Sequence, residues 1–148
     1  MSDHIETFNN LFEANYGVSP VGNRVAVIGS RNFYDYNLFA AKIDYFTKNI
    51  PDIYFVSGGC KTGADNLIER YCSDNDLPIL IFYPNYSEFG KSAPLKRNQE
   101  IVDNSDMLIA FWDGVSRGTK HTIDLADKKG IPNRIVSIPV YAPPVPAP

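Results

Sequence analysis

The chain reads as an α/β protein of the Rossmann-like, three-layer type, with a parallel sheet of about five strands, helices on both faces and an extra N-terminal helix. Three observations predict this. Five short apolar runs alternate with segments of helical periodicity. The runs are continuously apolar, as in strands covered on both faces. No internal repeat divides the 148 residues, a length that suits one domain. Residues 1–20 are expected to form a helix and linker, 21–140 the sandwich, and 141–148 a flexible tail.

Asp3 to Tyr16 has Ile5, Phe8 and Phe12 on one stripe and Leu11 beside it. Asp3 and Glu6 have capping-box spacing, and Gly17 suits the C′ position. Arg24–Ile28 is the first strand. Asn37–Asn49 is helical, with Leu38, Phe39, Ile43, Phe46 and Ile50 on adjoining stripes. Ile53–Val56 is the second strand. Ala64, Leu67, Ile68, Tyr71 and Cys72 follow the i, i+3, i+4 rule and predict a helix over 63–74. Ile79–Phe82 is the third strand, and Pro94 opens a helix to Asp103. Met107–Phe111 is the fourth strand. Thr119–Lys129 is a helix closed by Gly130 and Pro132, and Arg134–Ile138 is the fifth strand. Four prolines in the last eight residues predict polyproline II.

Composition excludes several classes. The core-forming residues are too many for intrinsic disorder. The longest apolar run, Leu77 to Tyr83, is about a third of a membrane span, so no membrane partner is expected. The first ten residues lack the basic and apolar regions of a secretion signal. Cys60 and Cys72 are too few for a disulfide scaffold and lack metal-ligand spacing, which fits a reduced cytoplasmic compartment and no metal. A net charge of −3 and a pI near 5.3 argue against nucleic acid as a partner.

The unusual residues lie where the chain leaves the strands. Segments 29–35, 57–65, 84–98 and 112–121 hold seven of the ten glycines and seven of the fourteen Lys and Arg, but four of the seventeen acids. They carry a net +3 while the rest of the chain carries −6. In an open parallel sheet, ligands bind outside the carboxyl ends of the strands. Glycines there admit a phosphate close to the backbone, and the following helices offer unpaired N–H groups and a positive dipole end. The candidate ligand residues in the first two turns are Gly29, Ser30 and Arg31, then Ser57, Gly58, Gly59, Gly63 and Asp65. Arg97 and Asn98 follow on the later helix, and Asp113, Gly114, Ser116, Gly118 and Thr119 lie after the fourth strand. Neither G-x-x-x-x-G-K-[ST] nor G-x-G-x-x-G is present, which argues against a P-loop or a conventional NAD dehydrogenase. No cofactor is expected.

In combination and order these turns resemble the SLOG superfamily, and within it the small phage and bacterial proteins related to YspA. The resemblance rests on Gly29-Ser-Arg31, Ser57-Gly-Gly59 with Gly63-Ala-Asp65, Gly90-Lys91, Arg97-Asn98, and Phe111-Trp-Asp-Gly114 with Ser116-Arg-Gly-Thr119. It implies a Rossmannoid fold that binds nucleotides or molecules derived from them. The Lonely guy phosphoribohydrolases of the same superfamily carry an arginine that Arg97 matches, and a loop P-G-G-x-G-T-x-x-E with a catalytic glutamate. Gly118-Thr119 matches the G-T pair, but Thr122 stands where the glutamate should be, and threonine supplies no carboxylate. The resemblance therefore implies an anion-binding frame without the family's hydrolytic group, for which Asp65, Asp113 and Asp124 are the candidate replacements. DprA shares the superfold and a glycine-serine-arginine turn, but the acidic balance weighs against single-stranded DNA.

Each candidate also has a structural alternative. Arg31 can clamp a phosphate with two nitrogens or pair with Asp35. Asp65 can accept from a ribose hydroxyl or serve only its helix dipole. Asp113 can accept from ribose or base, or cap its own turn. His121 is a proton carrier or an exposed helical residue. Lys91, Lys96 and Lys120 add field strength. Phe33, Tyr34, Tyr86 and Trp112 are candidates to stack a base. The function expected is binding of a phosphorylated nucleoside or an NAD- or ADP-ribose-derived ligand, by a homo-oligomer acting as sensor or sequestering module. The alternative is an N-glycosidase releasing a base from a nucleoside monophosphate, with Asp65, Asp113 and Arg97 as catalytic candidates.

Overall fold

The structure, a computed structural model, describes residues 22–141. The helix expected over 3–16 and the tail beyond Tyr141 lie outside the described residues. Strand β1 (Arg24–Gly29) leads to helix α1 (Tyr36–Thr47), β2 (Tyr54–Ser57) to α2 (Gly63–Asp74), and β3 (Ile79–Ile81) to α3 (Tyr86–Phe89). A 3₁₀ turn at Gly90–Ser92 runs into α4 (Ala93–Asp103), followed by β4 (Met107–Trp112), α5 (Arg117–Lys129) and β5 (Asn133–Ser137).

The five strands are parallel in the order β3-β2-β1-β4-β5. The chain first winds outward from β1 through β2 to β3, then returns to the other side of β1 with β4. Successive residues of β1 divide between two cores, as the pleat requires. Val25 and Val27 face α1 and α2, among Phe39, Ile43, Leu67, Ile68 and Tyr71. Ala26 and Ile28 face α4 and α5, among Ile101, Val102, Ile123 and Ala126. The layers are therefore helix, sheet, helix.

Arg24 fixes the lower edge of the sheet. Its amide and Nε donate to Asp106 Oδ2 at 3.0 and 2.9 Å, and Nη2 donates to Oδ1 at 2.8 Å, tying the entry to β1 to the entry to β4. At the upper edge, Phe33 stacks on Phe111 at 5.3 Å and Phe39 lies 4.8 Å from the same ring. Phe33 is fully buried there and is unavailable to stack a base. Trp112 also packs into a core, and its Nε1 donates to the Ser116 carbonyl at 3.1 Å.

Element boundaries differ from periodicity where side chains cap them. Helix α1 starts at Tyr36 because Asp35 Oδ1 accepts the Leu38 amide at 3.1 Å. Helix α3 forms because Asn85 Oδ1 accepts the Glu88 amide at 3.1 Å; four residues are too few to show a period. Helix α5 starts at Arg117, two residues earlier than the apolar pattern indicates, with Ser116 as N-cap.

Candidate functional site

Strands β1 and β4 are neighbours whose following helices lie on opposite faces, and such a divergence opens a crevice at the carboxyl edge. A cleft of about 370 Å³ lies there. Its first wall is the turn after β1, with Gly29, Ser30, Arg31 and Asn32. Gly58, Cys60 and Asp65 come from the β2–α2 connection, Pro94, Leu95, Arg97, Asn98 and Ile101 from α4, and Ser116 to Thr119 with Thr122 from α5.

Ten of the fifteen expected ligand residues thus line one space: Gly29, Ser30, Arg31, Gly58, Asp65, Arg97, Asn98, Ser116, Gly118 and Thr119. The other five do not line it. Ser57 is buried at the end of β2. Gly59 has φ +74° and carries the Tyr83 ring where a Cβ would stand, with Cε1 at 2.5 Å. Gly63 has φ +69° and backs onto the 30–31 turn, a Cβ there falling 2.5 Å from Arg31 Cα. Asp113 and Gly114 form the turn after β4.

Asp113 spends its carboxylate on that turn. Oδ1 accepts the Val115 and Ser116 amides at 3.0 and 2.8 Å, and Oδ2 accepts the Ser116 hydroxyl at 2.8 Å. Desolvation opposes its ionisation, but these hydrogen bonds outweigh it and hold the carboxyl below its usual range.

The two helix starts expected to receive an anion differ. In α2 the Ala64 amide donates to the Ser30 carbonyl at 3.2 Å, and Asp65 places a carboxylate in the first turn. Neither N-cap, Thr62 or Ser116, makes a side-chain capping bond, but the first turn of α5 holds no acid, and its residues Arg117 to Thr119 line the cleft.

The three cleft arginines also differ. Arg31 and Arg117 are exposed and pair with no acid among the described residues; the Arg31–Asp35 pair does not form. Sequence reading did not single out Arg117, although its place in a +3 edge and its position beside Ser116 were signals. Arg97 is instead drawn inward: Nη1 donates to the Gly58 carbonyl, and Nε to Asn98 Oδ1 at 3.0 Å. Asn98 Nδ2 in turn meets His121 Nδ1 at 3.2 Å, so His121 is half-buried and bonded rather than exposed. Thr122, at the position of the hydrolase glutamate, lines the cleft and donates to the Gly118 carbonyl at 3.1 Å.

Asp65 is the acid of the cleft. Its Oδ2 accepts the Cys60 amide at 3.0 Å. Desolvation raises its pKa above the usual aspartate value, against the lowering pull of the Cys60 amide and the Arg97 charge. The folded carboxylate therefore holds its proton to higher pH than the unfolded one, and stability falls as pH rises from the ordinary aspartate range through the folded-state pKa. Asp65→Asn keeps an acceptor for Cys60 without the charge. It is expected to melt above the wild type at pH 7, with the difference narrowing as the pH approaches 4; a lower melting point at pH 7 would contradict this.

The cysteines provide a second check. Burial, with a smaller push from Glu69, raises the Cys72 thiol to about 12, whereas Cys60 is half-exposed on the cleft wall. Iodoacetamide at pH 8 is expected to label Cys60 in the native protein and Cys72 only after unfolding, as read by peptide mass spectrometry. Equal labelling of both in the native state would refute the burial.

Among the described residues, no helix is long and apolar enough to cross a membrane, and no His, Cys, Asp and Glu group could hold a metal ion.

The fold and cleft define a Rossmann-like α/β protein with a cationic crevice at the topological switch point. The chain belongs to the YspA, cpYpsA-related SLOG family, whose model matches residues 23–89. It is 32% identical over 117 residues to the Gene 61 protein of Mycobacterium phage D29, an alignment covering 74% of this chain and 92% of that protein. No solved structure matches it. Membership of this family suggests a nucleotide-related ligand.

Proposed function

We propose that residues 21–140 form a nucleotide-binding domain that takes a phosphorylated nucleoside, or an NAD- or ADP-ribose-derived molecule, in the cleft between β1 and β4. The observation that carries this is the convergence of Arg31 and Arg117, which pair with no acid among the described residues, with the amide end of α5. Guanidinium forks and helix N-termini suit phosphoryl oxygens. Acting as a sensor or as a trap for the ligand, in a homo-oligomer within the cytoplasm, belongs to the same reading.

One observation favours a second reading, an N-glycosidase: Asp65 brings a desolvated carboxylate into the cleft. Against it stand Thr122 in place of the hydrolase glutamate and the commitment of Asp113 to its turn.

Calorimetry against nucleoside monophosphates, NAD and ADP-ribose, with chromatography for released base, separates the two. Saturable binding without base release supports the binding module, and protection of Cys60 from alkylation would locate the ligand in the cleft. Base release that disappears in Asp65→Asn supports the enzyme. No binding to any compound of the panel would refute both.

A further inference from the structure

The sheet ends in a strand with one free edge on each side, β3 on one and β5 on the other. In β5 the register with β4 decides which backbone groups are free. Leu108 donates to the Pro132 carbonyl and Ile138 to the Trp112 carbonyl, both at 3.0 Å, with Ala110 opposite Ile135. The even-numbered residues of β5 therefore turn their N–H and C=O groups toward β4. Asn133, Ile135 and Ser137 turn theirs outward. None of these outward groups meets a backbone partner among the described residues. The Asn133 carbonyl accepts from the exposed Arg134 Nη1 at 3.1 Å and keeps a second lone pair.

Such an edge is a template for another chain, and proteins commonly blunt it with lysine, proline or a bulge. Between 133 and 137 there is no Lys, Pro or positive-φ residue, and the Ile135 side chain is exposed. Val136 belongs to the core of α1 and α2, so Ile135 points to the other face of the sheet.

The free stretch is also self-complementary. Laid antiparallel on a second copy with Ile135 at the centre, Asn133 opposes Ser137 and Ile135 opposes itself. Each of these pairs can exchange two backbone bonds. Arg134 falls opposite Val136, so the strand sets no like charges against each other. The next outward pair is Ile131 with Pro139. Ile131 already gives its amide to the Ala126 carbonyl at 3.1 Å, and Pro139 has no amide to give. Pairing thus stops where the free groups stop.

The rest of the chain offers no better occupant. Residues 142–148 include four prolines, which cannot donate to a ladder, and residues 3–16 carry a helical period. The β3 edge fits a second copy less well. By the same bond pattern it turns only Ile79 and Ile81 outward, between Pro78 and Pro84.

Resting on the homo-oligomer proposed above, we infer that β5 is its joint: two copies pair their β5 strands antiparallel about a two-fold axis at Ile135. An interface of this kind closes as a dimer. The two sheets become one, and the two clefts lie at opposite edges of it, because antiparallel strands reverse the carboxyl end.

The test is light scattering over a dilution series, in which the wild type should be a dimer. Ile135→Pro removes an outward N–H and no bond to β4, and Ile135→Lys sets two charges face to face across the axis. Each should raise the dimer dissociation constant by at least about tenfold; two lost hydrogen bonds alone are worth that. Protection of Cys72 from iodoacetamide shows that a variant is folded. Should the proline variant fail this check, Ile135→Lys still decides, since it alters only an exposed side chain. In a Cys60→Ser background, Ile135→Cys should form a disulfide-linked dimer on mild oxidation, since opposed residues stand about 5.5 Å apart. Ser137→Cys should not, because its own mate lies about 13 Å away along the strand. Leu80→Cys, on the β3 edge, should not either. A dimer that Ile135→Lys leaves as tight as the wild type overturns the β5 joint, as does cross-linking through Ser137→Cys or Leu80→Cys in place of Ile135→Cys; the homo-oligomer then stands. A wild type that is monomeric at every concentration removes the homo-oligomer, and the inference with it.

Discussion

Gly63→Ala is expected to destabilise the protein by about 2–6 kcal/mol, measured by urea unfolding. A non-glycine residue at a positive φ costs roughly 1–3 kcal/mol, and forcing backbone apart in a packed region adds roughly 1–3 kcal/mol. Both apply, because φ is +69° and the added Cβ would press on the Ser30 carbonyl and stand 2.5 Å from Arg31 Cα. Neither neighbour is a flexible side-chain end that can swing away. Gly114→Ala is the control: φ is +83°, but nothing lies within 4 Å of its Cβ position, so only the conformational cost remains. If the two substitutions cost the same, the α2 start does not brace the 30–31 turn as described. Gly58→Ala differs again, since its Cβ meets chiefly the Arg97 guanidinium, which can move. It should fold normally and weaken binding.

Removing both unpaired guanidiniums, in Arg31→Ala/Arg117→Ala, is expected to weaken nucleotide binding by more than about 100-fold. A hydrogen bond to a charged group is worth about 1.5–3 kcal/mol, so each single variant should lose roughly 10–100-fold. The melting temperature should hardly change, because both side chains are exposed and neither pairs with an acid among the described residues. Lys128→Ala, at the far end of α5, is the matched control for a lost charge. If the double variant binds as the wild type does, the phosphate is held elsewhere and the proposed site is wrong.

The sequence revealed the fold because its signals were local and redundant: five apolar runs, each followed by a helical period, leave few alternatives to a parallel sheet. The edge that carries the cleft was legible for the same reason, since glycine and positive charge concentrate where the strands end. Less legible was the destination of each side chain. Asp113 caps its own turn and Phe33 fills the aromatic core, choices set by geometry a few ångströms away. Arg97 turns inward because the Gly58 carbonyl waits there, and that carbonyl belongs to a residue 39 positions earlier. The apolar pattern starts the last helix at Thr119, whereas the helix starts at Arg117, which lines the cleft.

The series of bonds from the Gly58 carbonyl through Arg97 and Asn98 to His121 ties the β2 exit to the packed pair α4 and α5. Two flanks of the crevice are thereby stitched together before anything enters. Much of the ordering entropy of this pocket is thus incurred when the chain folds rather than when it captures a guest, which favours rapid engagement over slow closure.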